Sequence, residues 1–188
     1  MMPARQPQRP SRRTVLALVL AAGVPAWASE AGDLEAVLQG LPLAGQTRLR
    51  VWGFEVYDAY LYAAPGFDLA RYDTQRFGLA LSYLRSFKGS DIAERSIDEM
   101  RGMAPLAAEQ AERWLQAMAR LFPDVRRGDR ITGVHEPGRG ARFFLNGQRL
   151  GEIADEAFSR RFFSIWLSPD TSQPGMRREL TASLRSVP

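Results

Sequence analysis

Cysteine is absent from the 188 residues, and His135 is the single histidine. Without cysteine there are no disulfide bonds, no thiol catalysis, no iron–sulfur cluster and no zinc site with cysteine ligands. One histidine excludes a site with several histidine ligands within one chain and argues against a Ser-His-Asp triad. The sequence also lacks a Walker A lysine and a nucleophile elbow, and Gly138-x-Gly140-x-x-Phe143 fails as a dinucleotide loop at its third glycine.

The N-terminal segment, residues 1–28, has four arginines and no acidic residue. Its uncharged run from Thr14 ends in Ala26-Trp27-Ala28, which is typical of a signal-peptide cleavage site. We therefore expect a signal peptide over 1–28, cleavage after Ala28 and a periplasmic domain over 29–188. The apolar run is too short for a stable bilayer span, so none is expected after cleavage; the alternative is an uncleaved anchor. Arg12-Arg13 leaves Sec and twin-arginine export both open.

The basic character of the chain comes from this segment. The formal net charge is +4, and four of the 25 basic residues lie in residues 1–28. Residues 29–188 therefore carry 21 basic and 21 acidic residues and are formally neutral. Binding to nucleic acid needs a basic surface, so we expect no nucleic-acid partner. The arginine pairs at 126–127, 160–161 and 177–178 are interspersed with acids and predict solvated surface.

Hydrophobic periodicity predicts the elements. Residues 29–46 are interpreted as a lead-in segment, and a period of two predicts strands at 48–52, 54–63, 77–83, 130–135, 141–145 and 148–153. A period of 3.6 predicts helices after Ser90 as N-cap, from Pro105 to Phe122, after Asp155 as N-cap, and over 175–184. On the first strand, Arg48, Arg50 and Trp52 share a face. The small residues Gly78, Ala80 and Ser82 predict close packing on one side of the third strand.

The resulting order is β-β-β-α-α-β-β-β-α-α in one domain. Blocks of strands separated from blocks of helices indicate an α+β fold, with an antiparallel β-sheet and a helical layer on one face. The last but one helix carries apolar residues on nearly every face and is expected to be buried. Its aromatic residues are interpreted mostly as core, with part of the set lining a cleft; they are Phe158, Phe162, Phe163 and Trp166.

Two other candidate sites are weaker. Asp124 and Asp129 flank a turn, where a carboxylate metal site or ordinary turn chemistry could explain them; turn chemistry is favoured. His135 near a strand end is interpreted as a surface or hydrogen-bonded histidine rather than a catalytic one. We expect no metal and no cofactor.

In several segments the sequence resembles the chalcone isomerase-like family, in particular its bacterial exported branch. The segments are FEVYDAYLY at 54–62, ERSIDEM at 94–100, LFPDV at 121–125, GDRITG at 128–133, FLNG at 144–147 and FFSIWL at 162–167. The matches run from about residue 43 to 184. The resemblance implies an open-faced β-sandwich with a ligand cleft between the antiparallel sheet and its helices.

The resemblance also implies site residues. In the enzymes of this family an arginine on an early strand holds the phenolate, and Arg50 is its best match here, with Arg48 as runner-up. Tyr57 stands at the position of a hydroxyl residue on the next strand. If the protein is an isomerase, Arg50 and Tyr57 are the implied catalytic residues.

A helical motif of the enzymes matches Gly89-x-x-Ile92-x-Glu94-Arg95-x-x-Asp98-Glu99. Here Ile92, Arg95 and Glu99 replace a tyrosine, a lysine and an asparagine. Losing the tyrosine removes a donor to the substrate ketone, and a carboxylate repels a phenolate. These departures fit the non-catalytic branch, whose plant members bind fatty acids.

Three functional hypotheses follow from the resemblance. The first is a non-catalytic binder of a small apolar carboxylate such as a fatty acid, with Arg50, Tyr57, Arg48, Ile92, Arg95 and Glu99 as candidate ligand-binding residues. The second is an isomerase, an intramolecular lyase acting on a chalcone-like enone. The third is an envelope protein-interaction module with a closed cleft. The sequence leaves the oligomeric state open.

Overall fold

The structure, a computed structural model, describes residues 33–185. The predicted signal peptide at 1–28 lies outside the described residues. Six strands form one sheet in the order β1-β2-β3-β4-β5-β6, and each neighbouring pair is antiparallel. The strands are β1 Leu43–Val51, β2 Phe54–Ala63, β3 Phe77–Tyr83, β4 Arg130–Glu136, β5 Gly140–Leu145 and β6 Gln148–Ile153.

One short helix precedes the strands, and the longer helices follow them in two blocks. Residues 33–38 are helical and are called α1. The others are α2 Gly89–Met103, α3 Ala108–Leu121, α4 Glu156–Leu167 and α5 Pro174–Leu180, with 3-10 helices at Leu69–Thr74 and Ala182–Arg185. The predicted order of strands and helices after residue 43, and with it the α+β class, is confirmed.

Several predicted element ends are wrong. Helix α2 begins at Gly89, and its N-cap Lys88 makes no side-chain capping hydrogen bond, so Ser90 is not the cap. Helix α3 starts three residues after Pro105. Trp52 belongs to the turn between β1 and β2 rather than to a strand, because Trp52 and Gly53 both have positive φ. The last helix ends at Leu180 and continues as a 3-10 turn.

The main core lies between the inner face of the sheet and the helices α2 to α5. Helix α4 crosses its centre, and eight of its residues from Phe158 to Leu167 are buried, as predicted for a helix that is apolar on nearly every face. Its Phe162 ring lies 5.4 Å from the Phe143 ring of β5, centroid to centroid, in an edge-to-face contact. This aromatic packing fills the space between sheet and helices.

Helix α1 covers part of the other face of the sheet. Val37 packs with Val134 and Phe144 in a second, smaller cluster, which Leu38 joins. At Gly78 a Cβ atom would stand 2.6 Å from Leu38 Cδ2, so a larger residue there would have to push the Leu38 side chain aside. The close packing predicted beside Gly78 is confirmed there, whereas the lead-in interpretation of residues 33–38 is wrong.

Candidate functional site

Tyr57 stands on the inner face of the sheet at the end where β2 begins. Its cross-strand partners are Leu49 on β1 and Tyr83 on β3. Trp166 Nε1 on α4 donates a hydrogen bond to Tyr57 Oη at 3.0 Å. Among the described residues, the Tyr57 hydroxyl donates only to Met176 Sδ of α5, 4.0 Å away, which is a weak acceptor. The phenol is therefore a half-buried donor with a poor partner.

Burial is the main cause of a raised pKa at Tyr57. The nearby Glu99 carboxylate raises the pKa further, while the Trp166 hydrogen bond and the Arg95 guanidinium act in the opposite direction. Tyr57 therefore stays protonated at physiological pH and acts as a hydrogen-bond donor rather than as a base. We call Tyr57, Arg95, Glu99, Trp166 and Met176 the phenol site.

The charged pair of the phenol site comes from one face of α2. Arg95 Nη2 donates to Glu99 Oε1 one turn further along the helix. The Glu99 side chain is 13% exposed, whereas that of Arg95 is 70% exposed. Ile92 precedes this pair on α2 and packs, half-buried, against the core. The guanidinium can therefore change partners without crossing the core, whereas the carboxylate is fixed.

Arg48 and Arg50 lie on the opposite side of β1. Arg48 donates to both Asp58 oxygens, at 2.6 Å and 2.9 Å, and to Glu55 at 2.7 Å. Arg50 is 59% exposed and contacts Glu55 at 3.2 Å. The expectation that Arg50 lies beside Tyr57 is wrong, because cross-strand partners share a face and the partner of Tyr57 is Leu49.

The sequence-based set is therefore brought together in part. Tyr57, Arg95 and Glu99 meet in the phenol site, Ile92 borders it, and the two β1 arginines do not reach it. Trp166 was found in the sequence as a member of an aromatic helix, but its hydrogen bond to Tyr57 spans 109 positions and leaves no local signal. Met176 is also distant from Tyr57 in sequence, so its contact leaves no local signal either. A ligand-binding role for any of these residues stays a prediction.

His135 is fully buried and holds structural elements together. Its Nδ1 lies 2.7 Å from Ser159 Oγ, and its Nε2 lies 2.8 Å from the backbone carbonyl oxygen of Asp73. A carbonyl only accepts, so Nε2 carries the proton and Nδ1 accepts from the serine hydroxyl. Burial lowers the pKa of His135, so the imidazole is neutral at physiological pH.

Asp129 organises a turn, whereas Asp124 links the start of α2 to the chain that leaves α3. Asp124 accepts from the Gly89 backbone N–H at 2.9 Å, and Asp129 accepts from the Arg126 backbone N–H and the Asn146 amide. Within residues 33–185, no group of three or more His, Asp or Glu side chains is placed to hold a metal ion. No helix in this part of the chain is long and apolar enough to cross a bilayer.

Two shallow cavities open on the surface away from the phenol site. One, of about 330 Å³, lies at the other end of the sheet between Pro42, Phe67 and Leu184. The other, of about 280 Å³, lies beside Arg142 and Glu152. Neither of the two is lined by Tyr57 or by a residue of α2.

The residues of the phenol site are better suited to binding a polar head group than to acid–base catalysis. It offers a neutral phenol donor and one exposed guanidinium. Ile92 has no hydroxyl to polarise a ketone.

The chain matches the family described as chalcone isomerase-like over residues 30–181. An uncharacterized protein of Haemophilus influenzae is 27% identical over 136 residues, which cover 72% of this chain and 65% of the relative's length. The crystal structure of an Arabidopsis thaliana fatty-acid binding protein superposes with a TM-score of 0.56 at 12% identity, covering 74% of this chain and 84% of that one. This likeness shows a shared fold. The family match covers most of the chain, and the protein therefore belongs to the chalcone isomerase-like family.

Proposed function

We propose that the protein is an exported, non-catalytic binder of an apolar carboxylate such as a fatty acid. The head group binds at the phenol site, and the hydrocarbon chain enters the sheet–helix interface beside it by displacing side chains, because aromatic packing fills the space there. The observation that carries the proposal is the half-buried Tyr57 side chain, whose hydroxyl proton has no better acceptor among the described residues than a thioether 4.0 Å away. A carboxylate oxygen placed there accepts a stronger hydrogen bond than sulfur does.

Arg95 is the proposed cation. Its side chain is largely exposed and its guanidinium has several N–H donors, so it can bridge Glu99 and an incoming carboxylate and offset the repulsion between them. Arg48 and Arg50 are less suited because both point away from Tyr57 and are engaged with Glu55. Met176 is the side chain that the ligand displaces, since an unbranched thioether repacks easily.

Two further observations support binding rather than catalysis. The structural neighbour from Arabidopsis thaliana is itself titled a fatty-acid binding protein, and it shares the fold at low identity. In addition, the phenol site lacks a donor for a ketone at Ile92. Chalcone turnover above the uncatalysed rate is therefore not expected, and a saturable acceleration by pure protein would favour the isomerase alternative.

The test is a titration with a fluorescent long-chain fatty acid. Arg95→Gln should weaken binding by roughly ten- to a hundredfold, since hydrogen bonds to charged groups contribute about 1.5–3 kcal/mol. Tyr57→Phe should weaken it by about two- to tenfold, because it removes one neutral donor and keeps the ring.

Arg50→Gln is the matched control. It removes an exposed arginine from the same end of the sheet but from the opposite face, and binding should not change. If Arg50→Gln weakens fatty-acid binding and Arg95→Gln does not, the arginine that binds the carboxylate lies on β1 rather than on α2. Circular dichroism checks that each variant is folded.

Export is tested separately. Sequencing the N-terminus of the protein recovered from a Gram-negative host should give Ser29, in the periplasmic fraction. An N-terminus at Met1 or recovery from the cytoplasm would contradict this part of the proposal.

A further inference from the structure

The turn between β1 and β2 exposes large apolar side chains. Trp52 is 95% exposed and Phe54 is 61% exposed, and Val51 is exposed beside them. We call residues 51–54 the hairpin tip. Isolated apolar residues are common on protein surfaces, but a tryptophan and a phenylalanine side by side on a projecting turn form a patch that needs a partner.

The backbone of the hairpin tip places the tryptophan outward at some cost. Val51 pairs with Phe54, and the two residues between them have φ values of 49° at Trp52 and 83° at Gly53. A two-residue turn with both φ values positive prefers Asn or Asp followed by Gly. A bulky residue in the left-handed region is rare, and such departures concentrate where a side chain has a function.

Basic residues surround the tip. The Arg85 guanidinium lies 5.1 Å from the centre of the Phe54 ring. The loops that follow β3 and precede β4 emerge at this same end of the sheet, because Tyr57 pairs with Tyr83 and Ser82 with Arg130. These loops expose Arg85, Lys88, Arg126 and Arg127.

These four basic side chains keep their charge available. Among the salt bridges of the described residues, none involves Arg85, Lys88, Arg126 or Arg127. Glu55 at this end pairs with Arg48 and Arg50, and Asp129 accepts hydrogen bonds from the Arg126 backbone N–H and the Asn146 amide. Asp91 and Asp124 are exposed acids close in sequence to Lys88 and Arg126. The end of the molecule thus presents exposed aromatic side chains together with four basic side chains that lie outside the salt bridges.

We propose that this end docks on a phospholipid bilayer that contains anionic lipids. Trp52 and Phe54 insert at the level of the head groups, where amphipathic aromatic rings are favoured, and the surrounding arginines and Lys88 contact lipid phosphates. Charge complementarity favours the bilayer over a second copy of the chain, because lipid phosphates are negative whereas a second copy would present the same four basic side chains.

The docking surface is independent of the phenol site, although Tyr57 follows Phe54 by three residues on β2. A binder that takes an apolar ligand from a membrane gains from having its site close to the docked end. Loss of vesicle binding with unchanged fatty-acid affinity would therefore separate the two proposals.

The absence of native cysteine allows a site-specific test on the full chain. Ser86→Cys, in the loop next to the tip, is labelled with an environment-sensitive fluorophore. Vesicles of phosphatidylglycerol and phosphatidylcholine in equal parts should shift its emission to the blue. The matched control is Ala70→Cys, exposed in the 3-10 helix at the opposite end of the sheet, whose label should not respond. Because the readout is local, membrane contact by the N-terminal segment does not mimic it.

The aromatic residues are tested in the Ser86→Cys background. Trp52→Ser together with Phe54→Ser should reduce vesicle affinity by at least about tenfold. Leu43→Ser, which removes another exposed apolar side chain at the far end of β1, should leave affinity unchanged.

Three outcomes would overturn the proposal. The first is an unresponsive label at position 86. The second is a response that survives the double substitution. The third is a blue shift that depends on protein concentration without vesicles, which would mean that a second copy covers the tip.

Discussion

Asp155 joins two helices through the two oxygens of one carboxylate. Oδ1 accepts from the Phe158 backbone N–H at 2.9 Å and caps α4, while Oδ2 accepts from Trp114 Nε1 of α3 at 2.9 Å. Asp155→Ala removes the cap and leaves a buried indole N–H unpaired. We expect the free energy of unfolding, measured by urea denaturation, to fall by roughly 2–4 kcal/mol.

The indole share can be isolated in a Trp114→Phe background, where no N–H remains to be satisfied. There Asp155→Ala should cost only the cap, about 1 kcal/mol. An equal cost of Asp155→Ala in both backgrounds would contradict the assigned role of Trp114.

At the residue scale, the sequence predicts what is local. Asp155 was recognised as a cap because capping acts within three residues, whereas its bond to Trp114 joins residues 41 positions apart. Alternation places Arg48 and Arg50 on one face of β1, as their shared contact with Glu55 shows, but it does not tell which face meets the helices. That depends on packing against helices that are distant in sequence.

Among the elements, α2 depends on a glycine at its first residue. A Cβ on Gly89 would lie 2.0 Å from the backbone oxygen of Phe122, so the start of α2 touches the chain that leaves α3. Gly89→Ala must push these segments apart and should destabilise the protein by about 1–3 kcal/mol.

Gly102 provides the matched control on the same helix. Nothing lies within 4 Å of a Cβ placed there, and alanine favours a helical backbone. Gly102→Ala should therefore raise the free energy of unfolding by about 0.4–1 kcal/mol. Urea denaturation measures this quantity for both glycine variants. Equal effects of the two substitutions would show that helix propensity, rather than the close contact, governs Gly89.

Element order was accessible from the sequence because the two hydrophobic periods and the turn residues alternate cleanly after residue 43. Helix α1 could not be predicted from the sequence. Its apolar residues form a helix face only when they pack against Val134 and Phe144 on distant strands. The 3-10 helix at Leu69–Thr74 was missed for lack of any periodic signal, since its cap is the single side chain of Asp68.

On the scale of the whole molecule, the two faces of the sheet carry different kinds of residues. The inner face carries the aromatic core and the phenol site, and the outer face is polar around Arg130, which lies 4.5 Å from the centre of the Tyr60 ring and donates to Tyr62 Oη. His135 belongs to the inner face and links β4 to α4 and to the 3-10 helix after β2. Its protonation is therefore coupled to global unfolding.

The sign of that coupling follows from the lowered pKa. Burial keeps the folded His135 neutral below its ordinary pKa of 6.5, whereas the unfolded chain takes up a proton there. As pH falls below 6.5 the unfolded state binds more protons, so the free energy of unfolding should decrease, by up to about 1.4 kcal/mol per pH unit, until the folded pKa is reached. Above pH 6.5 this contribution is constant.

Urea denaturation at pH values from 7.5 down to about 5.5, above the range where most carboxylates titrate, measures the slope. His135→Gln removes the only histidine and should abolish the slope in this window, whatever its effect on stability at neutral pH. A flat profile for the wild-type protein would show that His135 is protonated as easily in the fold as outside it.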